Sequence, residues 1–223
     1  DPNRDKGDAA RRSTVTGAVD PLAFLAGPVK VVYDSDPSKT KVADLAPLID
    51  GWNKTIRATT GEIGWDYGKG VCTINAPQAQ GATGFLKSVS PIKLRDVTIE
   101  SADDYATIIL APLDGLPLNE SRRILVQVGT LARPLGWSDR EATFATDDGR
   151  RTIRGREILD TGKMPWMIRD ADATLRIVNP ALATATQLDV NGGRGKILDA
   201  DASAGVFTLK LPKDALYVVL EGR

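Results

Sequence analysis

Short runs in which apolar and polar residues alternate, separated by turns rich in glycine, aspartate and asparagine, dominate this sequence and leave little room for helix. Alternation with a period of two sends successive side chains to opposite faces of a strand, so one face can be buried while the other stays wet. The clearest run is Ile124–Thr130, ILVQVGT, in which Ile124, Val126 and Val128 share a face and Gln127 and Gly129 take the other. Gly129 has no side chain, which would let a second backbone or a ligand come close.

Between Thr59 and Phe85 strand-like runs at Ile63–Tyr67 and Val71–Asn75 are separated by Gly68-Lys69-Gly70, a hairpin signal, and Ile56–Ala58 precedes them across Gly61. Pro77 and the segment Gly81–Gly84 interrupt the pattern. Val97–Glu100 and Tyr105–Ala111 flank the turn Asp103-Asp104, and Asp114-Gly115 marks another hairpin. Downstream, Glu141–Thr146 and Arg151–Arg154 flank Asp148-Gly149, and Leu175–Asn179 ends at Pro180. Leu188–Val190 and Lys196–Asp199 flank Asn191-Gly192-Gly193, and Val206–Leu211 and Tyr217–Leu220 close the chain.

Upstream, Asp1–Asp20 is polar and reads as a tail or linker; Val29–Tyr33 reads as a strand after Gly27-Pro28, and Asp34–Lys39 as a turn. Between Lys41 and Asp50 the residues Val42, Leu45, Leu48 and Ile49 fall at spacings of three and four, which predicts one short helix. About a dozen short strands at regular turn spacing predict an all-β fold, an antiparallel β-sandwich, either one large or two packed small ones, with at most one or two short helices. The module spans 21–223, with a subdivision near residue 138 left open.

The sequence contains no histidine, which removes the commonest general base, the usual partner of a catalytic serine and the commonest metal ligand together. Lysine plus arginine equal aspartate plus glutamate at 29 each, so the broad positive field of a nucleic-acid binder is missing and no nucleic-acid partner is expected. The single Cys72 sits in the apolar run VCTI and reads as a buried, inert thiol. No apolar run is long enough to span a bilayer as a helix, so no membrane is expected, and a start at Asp1-Pro2 reads as a mature or excised piece of something longer.

The wording WDYGKGVCTINAPQAQGATGFL, followed by VTIESADDYATIILAPLDGLPLNESRRILVQVGTLARPLGW and the ending LKLPKDALYVVL, resembles the β-sandwich region that follows the TIM barrel in certain bacterial glycoside hydrolases. The resemblance runs from about Pro21 to Leu220. It implies a secreted or periplasmic polysaccharide-processing enzyme whose catalytic carboxylates lie on the barrel, with that barrel and a polysaccharide or oligosaccharide as partners. No catalytic residue of that family carries over to this chain.

Sugars are held by flat aromatic faces and by polar side chains that grip hydroxyls, which makes tryptophan and tyrosine the natural candidates. Trp65 and Tyr67 alternate about Asp66 on one predicted strand and would either form a platform or fill the core. Trp52, after Asp50-Gly51, and Trp137, after Pro134 and Gly136, sit in loop-like contexts suited to exposed rings, whereas Trp166, in KMPWM, is expected to pack. Glu62, Asp66, Glu100 and Glu120 are the acids near apolar strands, and nothing in their spacing brings two together as a glycosidase pair.

The remaining motifs are weaker. GWDYGKG lacks the Ser or Thr and the following helix of a phosphate loop and reads as a hairpin turn. The run Asp199-Ala200-Asp201-Ala202-Ser203 begins like a calcium loop but lacks its glycine and bidentate acid, so no cofactor is expected, while a structural calcium at Asp34 or Asp36 stays open. Arg150, Arg151, Arg154 and Arg156 are expected to face solvent where opposing acids can pair with them. Three functions remain: an accessory sandwich of a glycoside hydrolase, an independent carbohydrate-binding module, or a carboxylate-dependent glycosidase.

Overall fold

The computed structural model of the chain describes residues 22–33, 36, 41, 44–146 and 149–222. The expected tail and most of the Asp34–Lys39 turn lie outside them. The described residues hold one turn of α-helix, α1 (Ala23–Ala26), and nineteen strands. In chain order these are β1 (Ile49–Asp50), β2 (Thr55–Arg57), β3 (Ile63–Asp66), β4 (Val71–Ala76), β5 (Ala79–Gly84), β6 (Ile92–Lys93), β7 (Val97–Ser101), β8 (Ala106–Pro112), β9 (Arg123–Thr130), β10 (Ala132–Leu135), β11 (Ser138–Ala145), β12 (Thr152–Asp160), β13 (Lys163–Ile168), β14 (Ala173–Val178), β15 (Leu182–Leu188), β16 (Arg194–Leu198), β17 (Asp201–Ser203), β18 (Val206–Lys210) and β19 (Tyr217–Gly222). Every pairing is antiparallel.

The chain divides into two compact units. The larger is formed by Leu25–Gly27, Leu45–Leu131 and Arg169–Arg223, and the segment Ala132–Ile168 between its two long stretches belongs to the smaller. Residue 138, where the sequence leaves a subdivision open, falls inside that segment.

The larger unit is a sandwich of two sheets. Ten strands run in the order β1-β2-β3-β4-β5-β8-β9-β19-β15-β16, and five in the order β17-β18-β14-β7-β6. Alternation decides what each sheet buries. Ala106, Ile108 and Leu110 of β8 and Ile124, Val126 and Val128 of β9 face inward from the first sheet. Val97 and Ile99 of β7, Leu175 and Ile177 of β14, and Phe207 and Leu209 of β18 meet them from the second, in one continuous core. Full burial of side chains of this size stabilises a fold by about 1.5–3 kcal/mol each, so this shared layer is the main force holding the sheets face to face.

Three segments depart from the sequence pattern. Gly81–Gly84, expected to interrupt a strand, belongs to β5, a central strand of the large sheet. Its small residues are needed there, since a Cβ on Gly81 would stand 2.3 Å from the Ile108 carbonyl oxygen of β8. The helix expected between Lys41 and Asp50 shrinks, over its described part, to a 3-10 turn at Ala46–Leu48 that runs straight into β1. Pro47 lacks the N–H that a longer helix would need. Val29–Tyr33 forms no strand; it finds no pairing partner among the described residues and its side chains are exposed.

Polar side chains fasten the two sheets as well. From the large sheet, Asn75 Oδ1 accepts the Arg95 backbone N–H at 2.8 Å and Gln80 Oε1 accepts that of Asp96 at 2.9 Å. Gln80 Nε2 in turn donates to Asp96 Oδ2 at 2.6 Å. Gln80 is fully buried, and the Asp96 carbonyl accepts from Val178 N–H of β14 at 2.8 Å.

In the smaller unit β11 pairs with β12 and β10 with β13 as two-stranded ribbons. Trp166 of β13, expected to pack, is 57% exposed, as are its neighbours Met164 and Met167 to similar degrees. The reason is that β13 pairs with β10 alone among the described residues, and a two-stranded ribbon has no second layer to bury a large ring.

The Gln80–Asp96 pair yields a direct test. Gln80→Ala leaves a buried carboxylate and a backbone N–H without partners, and is expected to lower unfolding free energy in urea by about 2–4 kcal/mol with an unchanged denaturant slope. An unmoved midpoint would show that the pair carries no stability.

Candidate functional site

The large sheet is wider than its partner, and side chains of β1, β2 and β3 take no part in the common core. Their inward face therefore lines a cleft of about 650 Å³ within the larger unit. Its floor comes from register: Arg57 pairs with Gly64 and Gly64 with Thr73, while Thr55 pairs with Asp66 and Asp66 with Val71. These residues share one face across β2, β3 and β4, the face that continues into the core. Ile49 and Asp50 of β1 lie on one side of the cleft, and Val89 and Ile92, at the edge of the five-stranded sheet, complete its lining.

Polar groups on this floor are largely engaged. Thr73 Oγ1 donates to the Gly64 carbonyl at 3.4 Å. Asp66 Oδ1 accepts the Lys69 backbone N–H at 2.9 Å, and its other oxygen lies 3.5 Å from Lys69 Nζ. Asp50 accepts the backbone N–H groups of Asn53 and Trp52 at 2.9 and 3.0 Å and the Asn53 side-chain amide at 2.6 Å. The Asn53 backbone bond, then the Asn53 amide, and finally the Trp52 N–H hold the Asp50 carboxyl below its ordinary value.

Asp50 thereby shapes the tight turn that carries Trp52. Among the four candidate rings Trp52 is the open one, 93% exposed at the tip of the hairpin whose strands supply Asp50 and Thr55 to the cleft. Trp65 borders the same cleft, but its register opposite Ile56 and Cys72 gives it the outer face of the sheet. Ile56 and Cys72 are buried there and Trp65 is half-buried. Cys72 is a free thiol that burial pushes up in pKa, in keeping with an inert side chain. Tyr67 lies just past β3, its N–H bonded to the Lys54 carbonyl at 2.9 Å, and is half-buried.

Trp137, in the smaller unit, is held on two sides. Its indole N–H donates to Asp139 Oδ2 at 2.7 Å, and the Arg133 guanidinium lies over its ring at 4.8 Å. The indole bond, and next the Arg156 guanidinium paired with Asp139 across the ribbon, keep that carboxyl below its ordinary value. Arg156 thus finds the opposing acid expected for it.

Sequence order hides one further feature. Trp52 sits in the β1–β2 turn, Tyr67 at the start of the β3–β4 turn, Phe85 just after β5 and Tyr105 just before β8. Because these strands adjoin in that order and alternate in direction, the four aromatics line one end of the sheet over roughly 20 Å. Backbone bonds join the row, from Tyr67 to Lys54 and from Phe85 to Gly70 at 3.2 Å. The Phe85 and Tyr105 rings meet edge to face at 5.6 Å, and both are substantially exposed. An aromatic wording such as WDY draws attention to Trp65, whereas Phe85 and Tyr105 gain their neighbours only through strand order.

Of the acids weighed as a hydrolytic pair, Asp66 lines the cleft and Glu62, Glu100 and Glu120 do not. Among the described residues no group of three or more His, Cys, Asp or Glu side chains is placed to hold a metal ion; Asp34 lies outside them. No helix among them is long and apolar enough to cross a membrane. The chain matches no family model, no curated protein and no solved structure.

The Asp50 turn has a defined pH signature. A carboxyl whose folded pKa is depressed supports the fold fully above its unfolded value and loses that support as pH falls through the lower folded value. Titration of the Asp50 carboxyl by NMR is expected to give a midpoint below 3.8, with the Trp52 and Asn53 amide shifts following it. A midpoint at or above 3.8 would mean that Asp50 does not hold the hairpin tip.

Proposed function

We propose that this chain is a non-catalytic β-sandwich module that holds a carbohydrate chain in its cleft, as an accessory part of a glycoside hydrolase. The observation that supports this reading most is the pairing of a concave, hydrogen-bonding floor with an open indole. Thr55, Asp66 and Thr73 offer short polar side chains with acceptor capacity for hydroxyls, and Trp52 offers a flat apolar face on a turn fixed by Asp50. Sugars need both, a stacking surface for their C–H faces and directional partners for their hydroxyls. The aromatic row from Trp52 to Tyr105 would extend the contact beyond the cleft.

The accessory role draws on the resemblance in wording and on the smaller unit. Leu135, Ile158, Leu159, Met164, Trp166 and Met167 expose more than half of their surface on its ribbons, and apolar surface of that kind is where a catalytic barrel would dock. Secretion or a periplasmic location follows from the same resemblance.

Affinity electrophoresis in gels containing a panel of soluble polysaccharides tests the binding reading. At least one polysaccharide is expected to retard the protein, and Trp52→Ala is expected to weaken that binding about tenfold, the scale of one aromatic contact. Migration unaffected by every polysaccharide would overturn the reading, and release of reducing sugar by the chain alone would favour a hydrolase instead.

A further inference from the structure

The charges along the cleft are not evenly matched in their contacts. Four ionisable side chains line it, Asp50, Arg57, Asp66 and Lys69. Asp50 is satisfied by three donors of its own hairpin turn, and Asp66 and Lys69 satisfy each other. Arg57, the exposed last residue of β2, forms neither a side-chain hydrogen bond nor an ion pair with any described residue, although its backbone is paired opposite Gly64. Gly64 stands beside it in register, and Thr73 stands beside Gly64, so β3 contributes no side chain between Arg57 and Thr73 on this face. A Cβ on Gly64 would come within 3.0 Å of Thr73 Oγ1, so glycine there lets the Thr73 hydroxyl lie over β3 and reach the Gly64 carbonyl.

An arginine in this position presents a planar fork of donors that matches a carboxylate or a sulfate in two parallel hydrogen bonds. Neutral sugar hydroxyls cannot use that fork or its charge equally well. We infer that the cleft selects an anionic glycan, one whose sugars carry acidic groups, with Arg57 as the specificity-determining residue; this inference rests on the carbohydrate-binding reading above. The acidic group sits against Arg57, and Thr55 and Thr73 take neighbouring hydroxyls.

Calorimetric titration of the whole chain with three probes tests this: a uronate oligosaccharide, the same oligosaccharide with its carboxyls reduced to alcohols, and a sulfated neutral oligosaccharide. Charge-assisted hydrogen bonds of this kind correspond to roughly ten- to a hundredfold in affinity. At least one acidic probe is therefore expected to bind at least about tenfold tighter than the reduced one, and the preference should shrink as salt is raised. Arg57→Gln is expected to abolish the preference, and Arg176→Gln to keep it, because Arg176 is exposed on β14 between the buried Leu175 and Ile177 and lies outside the cleft. Selective, Arg57-dependent binding of the sulfated probe would uphold the inference and assign sulfate as the anion. Equal binding of acidic and reduced probes, unchanged in Arg57→Gln, would overturn the inference and leave carbohydrate binding standing. Binding of none of the three, beside retardation by a neutral polysaccharide in the gels, would overturn it as well; no binding in either experiment would remove the reading beneath it.

Discussion

Two side chains of the large sheet, Asn75 and Gln80, grip consecutive backbone amides of Arg95 and Asp96 at the edge of the small one. The rest of the larger unit is arranged about that clamp. Apolar burial is non-directional and would let two sheets slide over each other, whereas hydrogen bonds between a buried amide and a fixed backbone have one geometry. The return bond from Gln80 to the Asp96 carboxylate makes the contact reciprocal, so neither partner is left with an unmet polar group in the interior. Asp96 is also tied to β14 through its carbonyl, which carries the constraint to the middle of the five-stranded sheet.

Fixing the edge of the small sheet there decides where the sandwich stops. β6 is the last strand of that sheet, while the large sheet continues through β4, β3 and β2 to β1. The inward face of those strands therefore runs on beyond the core and becomes the floor of a cleft, with Val89 and Ile92 as the small sheet's contribution to its lining. A mismatch in strand number thus turns a core-facing surface into the floor of an open cleft without any special loop. The same strands carry their turns to one end of the sheet, which is how Trp52, Tyr67, Phe85 and Tyr105 come into line.

Much of the sandwich is legible in the sequence because its central strands bury one face only. Ile124, Val126 and Val128 alternate with wetter positions, and the structure buries those three. Legibility fails where alternation is not the governing force. β5 reads as a break because its job is close approach, which favours glycine and alanine over branched side chains. Val29–Tyr33 has strand-like composition but no pairing partner among the described residues, and the described part of the three-four spacing before Asp50 forms only a 3-10 turn because Pro47 and the following strand set the backbone. Of the site, Trp52 is visible as a tryptophan beside a turn signal. Arg57 is not, since its distinction is that its side chain has no partner among the described residues, and Phe85 and Tyr105 are separated in sequence by the whole of β6 and β7.

Backbone amide shifts followed by NMR during titration with a glycan that retards the protein report most directly on whether the overhanging face is the binding surface. The account predicts that the largest shifts fall on Thr55, Gly64, Asp66 and Thr73, with Trp52 at the rim, while the β10–β13 ribbon stays unmoved. Shifts concentrated on Met164, Trp166 and Ile168, with the cleft amides still, would contradict it.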